Sequence, residues 1–297
     1  MDKIDAVLEK IDGYVWGIPL IVLILAVGLL LTIRTGLIQV RHLPKALRYM
    51  LKNEEGGEGD VTSFGALCTA LSATIGTGNI VGVATAIAAG GPGALFWMEV
   101  AAFLGMATKY SEGLLAVKYR EIDSDGRVLG GPFYYIEKGM GKNWKWLAVL
   151  FAIFGMLVGI LGIGTMTQIN GITAAVQNFF DPDRAMAAFS LGEHSYAWPT
   201  VISGVLVTLF AALVIIGGIK RIAKVSEIIV PFMAVVYFAC GLILIICNIT
   251  RVPSAVVLIV QSAFSPKAAL GGAIGITIQS AMRNGIARGI FSNESGI

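Results

Sequence analysis

The sequence predicts an all-α integral membrane protein, and three observations lead to that prediction. Hydrophobic residues make up 56% of the 297 residues, charged residues make up only 14%, and the mean hydropathy is +0.79. This composition is far too apolar for a soluble domain of such length. Apolar runs of roughly 20 residues recur, which is the length that a helix needs to cross the hydrocarbon layer. The runs are continuously apolar rather than alternating, which excludes an outer-membrane β-barrel.

Seven membrane spans follow from these runs, and the glycine-rich turn GGPG at 90–93 separates the second from the third. The first twelve residues are rich in charge and no small-residue cleavage site follows, so the first run is predicted to be a true span rather than a signal peptide. The spans are predicted near residues 13–33, 62–89, 93–117, 147–179, 198–217, 225–248 and 266–282.

The distribution of positive charge predicts the orientation of these spans. Most of the 22 Lys and Arg residues fall in the loops at 34–60, 118–146 and 218–224 and in the tail at 283–297. Cytoplasmic loops retain positive charge, so these segments are predicted to lie inside and the N-terminus outside. The formal net charge of +3 reflects this bias and does not indicate nucleic-acid binding.

The second span contains polar and helix-breaking residues, in the stretch ATIGTGNIVG at 73–82. Irregular backbone survives in a bilayer only where it is buried in protein or lines a wet cavity. If Gly76 and Gly78 unwind the helix, the half-helix that starts at Asn79 presents unpaired N–H groups that attract a carboxylate. The half-helix that ends near Ile75 presents carbonyl oxygens, which suit a small cation such as sodium.

Side chains in the same stretch add possible oxygen ligands, from Thr74, Thr77 and Asn79. A second interpretation remains open, because small residues at the spacing Gly78-x-x-x-Gly82 also permit close packing of helices. Packing explains glycines, but it does not explain a cluster of threonine, glycine and asparagine at mid-depth. The sequence therefore favours a binding site at the interruption.

Two other segments contribute to the same hypothesis. The seventh span contains GGAIGITIQSAMRNG at 271–285, with Gly275 followed by Thr277, and a pair of interrupted spans is typical of inverted-repeat transporters. Close packing of glycines is an equally open explanation there. In the fourth span, Gln168 is predicted to face a substrate cavity. For Asn170 a hydrogen bond to a neighbouring helix is favoured at least as much as a place in the cavity.

Ionisable residues within or near the spans are predicted to form structural pairs. Lys109 and Glu112 are three residues apart on one helix face, Glu99 lies near the outer end of its span, and Glu227 lies near the inner end of the sixth. A proton relay through these groups is the alternative. The three cysteines lack metal-ligand spacing and are predicted to be small core residues.

Over nearly its whole length, the sequence resembles the amino acid-cation symporters, also called the sodium:alanine/glycine symporter family. The resemblance rests on several long pieces rather than on one short motif. These are VWGIPL, TIRTGLIQVRHL, FGALCTALSATIGTGNIVGVATAI, GPGALFWMEVAAFLGMATKYSEGLLAVKYR, GGPFYYIEKGMG and NGIARGIFSNESGI.

The resemblance implies a bacterial or archaeal plasma-membrane carrier that imports alanine or glycine with sodium. It also implies a leucine-transporter-type bundle of two inverted five-helix repeats, preceded by one extra helix. Residues 1–60 would then hold an N-terminal surface helix, the extra span and a cytoplasmic loop, and residues 61–250 would form the first repeat. Residues 251–297 would hold an outer loop, the first helix of the second repeat and a tail, with the remaining helices expected beyond residue 297.

The resemblance also assigns roles to individual residues. The substrate is expected to contact the second span, the fourth span and the first helix of the second repeat. Sodium is expected to bind mainly backbone carbonyls of the second span. Substrate ligands would be Gly76, Thr77, Gly78, Asn79, Gln168, Ala273, Ile274, Gly275, Ile276 and Thr277. Sodium ligands would be Ser72, Thr74 and Ile75. No organic cofactor and no enzymatic activity are expected.

Two alternatives of function remain open at the level of sequence. One is a transporter coupled to protons through Glu99, Lys109 or Glu112. The other is an amino-acid-gated channel or a receptor, although a channel needs a continuous polar stripe and the sequence shows local interruptions instead. An enzyme is disfavoured, since no nucleophile with a base, metal cluster or cofactor motif occurs among the spans.

Overall fold

The computed structural model describes residues 6–7, 18–51, 61–125, 128–162, 165–191 and 194–264, and most of these are helical. The helices are α1 Ile18–Arg34, α2 Ile38–Arg41, α3 Leu43–Leu51, α4 Ser63–Thr74, α5 Thr77–Gly90, α6 Gly93–Lys118, α7 Pro132–Met140, α8 Lys145–Leu161, α9 Thr165–Phe180, α10 Trp198–Ile215, α11 Gly218–Cys247 and α12 Val252–Phe264. Two antiparallel pairs of short strands connect them, β1 Glu121–Ile122 with β2 Val128–Leu129, and β3 Ala187–Leu191 with β4 His194–Ala197.

Four helical stretches of the described chain are long and apolar enough to cross a membrane. They are Ser63–Gly90, which includes α4 and α5, Lys142–Leu161, Trp198–Ile215 and Gly218–Cys247. Pro19–Arg34 and Ile249–Phe264 are shorter apolar helices. The predicted class, a helical integral membrane protein, agrees with these lengths and compositions.

Several boundaries differ from those predicted from the apolar runs. The span predicted at 147–179 is two helices, α8 and α9, and Gly162 at the end of α8 has a φ of +62°, which favours glycine. The span predicted at 225–248 already begins at Gly218, because a helix can continue through charged residues outside the apolar layer. The segment predicted as an outer loop after residue 250 contains α12. The span predicted at 266–282 lies outside the described residues.

The described residues form two compact groups, and the first comprises residues 6–7, 18–51, 78–115 and 233–264. Within this group α1 packs along α6, where Ile21 and Ala101 are buried together. Further along both helices, a Cβ at Gly28 would lie 3.1 Å from the carbonyl oxygen of Leu104.

The start of α6 is held against the end of α12 in the same group. The predicted tight turn is present, since α5 ends at Gly90 and α6 begins at Gly93. A Cβ at Gly93 would lie 2.6 Å from the backbone nitrogen of Ala263, so only glycine fits this contact. Trp97 Nε1 donates to the carbonyl oxygen of Ala263 at 3.2 Å, and the Trp97 ring packs edge-on against Phe264.

The second group comprises residues 61–77, 116–125, 128–162, 165–191 and 194–232. A buried carboxylate fixes the connection between its helix α9 and strand β3. The backbone N–H groups of Ala185 and Met186 donate to Asp181 at 2.8 and 2.9 Å, and the Gln177 amide donates to it at 3.1 Å. Burial alone would raise the pKa of Asp181. The hydrogen bonds from Met186, Gln177 and Ala185 outweigh burial and lower that pKa below its ordinary value.

Candidate functional site

The predicted interruption of the second span is present between α4 and α5. Helix α4 ends at Thr74, and Ile75 has extended backbone angles of φ −83° and ψ 107°. The Ile75 N–H donates to the carbonyl oxygen of Leu71 at 2.8 Å and closes the last helical turn. Because a helix leaves its last four carbonyls without intrahelical donors, the carbonyls from Ser72 to Thr74 remain at the break as possible ligands.

The interruption is shorter than the sequence predicts. The second half-helix begins at Thr77 rather than at Asn79, so Gly78 belongs to the first turn of α5 and is not unwound. The reason is that Gly76 and Ile75 already supply the change of direction, and a helix once started again continues. The N–H groups of a first helical turn have no intrahelical acceptor, so those of Gly78 and Asn79 are among the donors at this end.

Hydroxyl groups beside the break turn back onto their own helix. Ser72 Oγ donates to the carbonyl oxygen of Thr69 at 2.7 Å, and Thr74 Oγ1 donates to that of Ala70 at 2.9 Å. These bonds use the hydroxyl protons and leave oxygen lone pairs, which are what a cation needs. The geometry is therefore compatible with the predicted sodium ligands, while the side chain of Thr77 lies outside the described part.

Gln168 on α9 lies directly over the break. A Cβ at Gly76 would overlap Nε2 of Gln168 and would lie 2.7 Å from its Oε1. The backbone of Gly76 and the side-chain amide of Gln168 therefore lie so close that a side chain at Gly76 would displace the amide. The structure thus brings together two residues that lie far apart in the chain and that were predicted from the sequence to share one cavity.

The remaining predicted site residues are placed differently. Asn170 is on the same helix as Gln168 and its side chain is exposed. The residues predicted to close the cavity from the second repeat, from Ala273 to Thr277, lie outside the described part of the chain. The described portion of the candidate site thus consists of the break and the amide that covers it.

A carboxylate at the opposite end of α4 was not assigned to any partner from the sequence. Thr62 is the N-cap of α4, and its Oγ1 accepts from the Gly65 N–H at 2.9 Å and donates to Glu227 Oε1 at 2.8 Å. A Cβ at Gly65 would lie 2.5 Å from that same carboxylate oxygen. The capping residue was recognisable in the sequence from its type, but its partner in α11 is 165 residues away.

The predicted pairing of ionisable residues is confirmed for Lys109 and Glu112. Lys109 Nζ lies 3.1 Å from Glu112 Oε2, as expected for residues three apart on one helix. Glu227 accepts its hydrogen bond from Thr62. Both carboxylates thus have structural partners, which leaves the interruption of the second span as the clearest functional feature of the described chain.

Comparison with known proteins identifies the family. The profile of the sodium:alanine symporter family matches residues 1–297. The chain is 54% identical to an uncharacterized transporter of Haemophilus influenzae over 99% of its own length and 60% of the relative's. It is 44% identical to the sodium/alanine symporter AgcS of Methanococcus maripaludis over 100% of the chain and 62% of that protein.

A third relative is the putative sodium/proton-dependent alanine carrier protein YrbD of Bacillus subtilis. It is 42% identical over 97% of the chain and 54% of its own length. The chain therefore spans little more than half to three fifths of the relatives that it matches. The matched profile covers every residue, and the chain belongs to the sodium:alanine symporter family.

Proposed function

We propose that the protein is a sodium-coupled symporter that imports a small neutral amino acid, alanine or glycine, by alternating access. The observation that carries this proposal is the helix break at Ile75 and Gly76 with the Gln168 amide lying over it. Family membership and the printed activity of the Methanococcus maripaludis relative support it. No organic cofactor and no covalent chemistry are part of the proposal.

The two half-helices supply opposite partial charges for a zwitterion and its companion ion. The N–H groups of Thr77, Gly78 and Asn79 are proposed to hold the amino-acid carboxylate, since the start of a helix favours negative charge. Gln168 is proposed to contact the substrate with its amide. The segment from Ala273 to Thr277, which includes Ile274, Gly275 and Ile276, would form the wall opposite and leave room for little more than a methyl group.

Sodium is proposed to bind at the end of α4. The carbonyl oxygens of Ser72 and Ile75 would be its main ligands, with Thr74 as a weaker one. Oxygen ligands suit a small hard cation, and the negative end of a half-helix adds a favourable field. A membrane potential of 100 mV gives about 2.3 kcal/mol per sodium ion, which corresponds to a concentration ratio of roughly fifty.

We further propose a leucine-transporter-type bundle in which residues 61–250 form the first repeat. In chain order its helices would be the pair α4 and α5, then α6, the pair α8 and α9, α10 and α11. Helix α1 would be the extra N-terminal helix, and 266–282 would open the second repeat. The N-terminus would lie outside the plasma membrane, because the basic loops would then lie inside.

Uptake by proteoliposomes made with the protein tests the coupling ion. An inward sodium gradient should drive accumulation of labelled alanine, and replacement of sodium by potassium should abolish it. Equal uptake in potassium would reject sodium coupling. The name of the Bacillus subtilis relative mentions protons as well as sodium. If the carrier were coupled to protons, alanine uptake would instead depend on a pH gradient and would be lost in Glu99→Gln.

The same vesicles separate a carrier from a channel or a receptor. A carrier must bind and release substrate in each cycle, so its alanine flux saturates as substrate concentration rises. A flux that grows in proportion to alanine over the whole range would indicate a channel, and binding without any flux would indicate a receptor. Saturation together with dependence on sodium is the expected result.

A further inference from the structure

The chain turns sharply at the end of α1, which sends the next two helices away from its axis. Gly36 and Leu37 have φ values of +64° and +57°, in the left-handed region. The Leu37 N–H donates to the carbonyl oxygen of Thr32 at 2.9 Å and closes the helix end. Leu37 is not glycine, so this left-handed conformation is a costly one that the surrounding contacts must maintain.

Helix α3 is strongly amphipathic. Leu43, Ala46 and Leu47 lie on one face at helical spacing, and Lys45 and Arg48 lie on the other. From Arg34 to Lys52 the sequence contains no acidic residue but several basic ones. A basic amphipathic helix of this kind lies in the membrane interface and attracts anionic lipid head groups.

A groove of about 460 Å³ lies between this element and α6, within one compact group of residues. Ile38, Ala46 and Met106 line it with apolar surface. His42 and Lys45 supply polar and basic groups to the same groove. The combination of an apolar trough with cationic groups matches a molecule that is a hydrocarbon chain at one end and an anion at the other.

Gln39 lines the same groove and has an unused acceptor. Its Nε2 donates to Thr32 Oγ1 at 2.9 Å and to the carbonyl oxygen of Phe103 at 3.2 Å, which fixes the orientation of the amide. Its Oε1 is buried and, among the described residues, receives no hydrogen bond. Gln39 therefore forms part of the fixed wall of the groove.

We propose that the groove binds one anionic glycerophospholipid, such as phosphatidylglycerol. The phosphate contacts Lys45, with His42 beside it, and the acyl chain follows Ala46 and Met106. Lys45 Nζ lies 5.7 Å from the centre of the Tyr49 ring, a cation–π contact that keeps the ammonium group at the groove. This proposal requires only that the protein is embedded in a membrane.

Native mass spectrometry of the purified protein in mild detergent tests the proposal. Phosphatidylglycerol or phosphatidylcholine is added at equal concentration, and the fraction of protein that retains one lipid is measured. Wild-type protein should retain phosphatidylglycerol in preference. Lys45→Gln should lower that retention about fivefold, from the value of about 1 kcal/mol for one basic residue near an anionic lipid.

Arg48→Gln is the matched control, because it removes one positive charge from the same helix at a residue that does not line the groove. It should leave retention unchanged. Equal losses in both variants would show only a general attraction between charges and would overturn the site. Equal retention of the two lipids by wild type would overturn it too.

Lys45→Arg controls for misfolding caused by substitution at this position. It keeps the positive charge, so this variant should retain phosphatidylglycerol as wild type does. Loss of phosphatidylglycerol in Lys45→Arg as large as in Lys45→Gln would contradict the assigned contact with Lys45.

Discussion

Removal of the Thr62 hydroxyl should loosen α4, the half-helix that ends at the candidate site. Thr62→Ala removes both the N-cap bond to Gly65 and the hydrogen bond to Glu227. Loss of a cap costs about 1 kcal/mol. The hydrogen bond to the Glu227 carboxylate adds about 1 kcal/mol. This value is low for a hydrogen bond to a charged group, because Thr62 is exposed and solvent weakens the interaction. The sum of about 2 kcal/mol corresponds to a roughly thirtyfold larger population of detached α4.

Cys68 is the natural reporter of this opening, because it lies on α4 and only 1% of its surface is exposed. With the exposed Cys240 and Cys247 replaced by serine, a membrane-permeant maleimide should label Cys68 about thirtyfold faster in Thr62→Ala than in the parent. Thr62→Ser keeps the hydroxyl and should label at nearly the parent rate.

Glu227→Gln gives an intermediate expectation in the same assay. The amide oxygen still accepts from Thr62, but the charge that strengthens the bond is lost, so labelling should rise about twofold, or about 0.5 kcal/mol. Labelling of Thr62→Ala at the parent rate would refute the reasoning, since α4 would then be held by other contacts.

Two further predictions concern the packing of helices and the connection between α9 and β3. Gly93→Ala should destabilise the protein by about 1–3 kcal/mol, because the new Cβ meets the backbone of Ala263. Gly113→Ala is the control and should not destabilise it, since its Cβ meets no described atom within 4 Å. Thermal unfolding followed by tryptophan fluorescence measures both variants, and equal stability of the two would contradict the contact at Gly93. The pKa of Asp181 is lowered, so the ionised carboxylate stabilises its turn at neutral pH, and this effect is lost as pH falls through and below the ordinary aspartate range. In wild type, hydrogen exchange of the Met186 amide, corrected for its intrinsic rate, should therefore be faster at that low pH than at neutral pH. In Asp181→Asn it should be fast at neutral pH and at low pH alike. Unchanged protection at low pH would refute this role.

The parts of the structure that follow from local chemistry were predictable from sequence. Apolar runs identified most of the described helices, and the glycine-proline turn before Gly93 was recognised from residue type. An interruption at Gly76 and Gly78 was predicted because packing explains the glycines but not the polar residues beside them at mid-depth, and the structure places it at Ile75 and Gly76. Gln168 was assigned to the same cavity for a similar reason, since an amide is costly in hydrocarbon.

Features that depend on distant partners were not predictable from sequence. The restart of the helix at Thr77 is decided by backbone geometry that residue types alone do not fix. The division of the fourth span at Gly162 was hidden because the residues on both sides are apolar or small. The bond between Thr62 and Glu227 joins positions 165 residues apart, and only the fold reveals it.

Sodium-dependent binding of alanine to Gly76→Ala tests the central claim most directly. The new Cβ overlaps only the flexible end of Gln168, so the protein should fold while the amide is pushed from the break. Gly155→Ala is the control, since its Cβ meets no described atom within 4 Å. Titration calorimetry should show that wild type and Gly155→Ala bind alanine in sodium but not in potassium, while Gly76→Ala binds at least about tenfold more weakly in sodium. Wild-type affinity in Gly76→Ala would contradict the account.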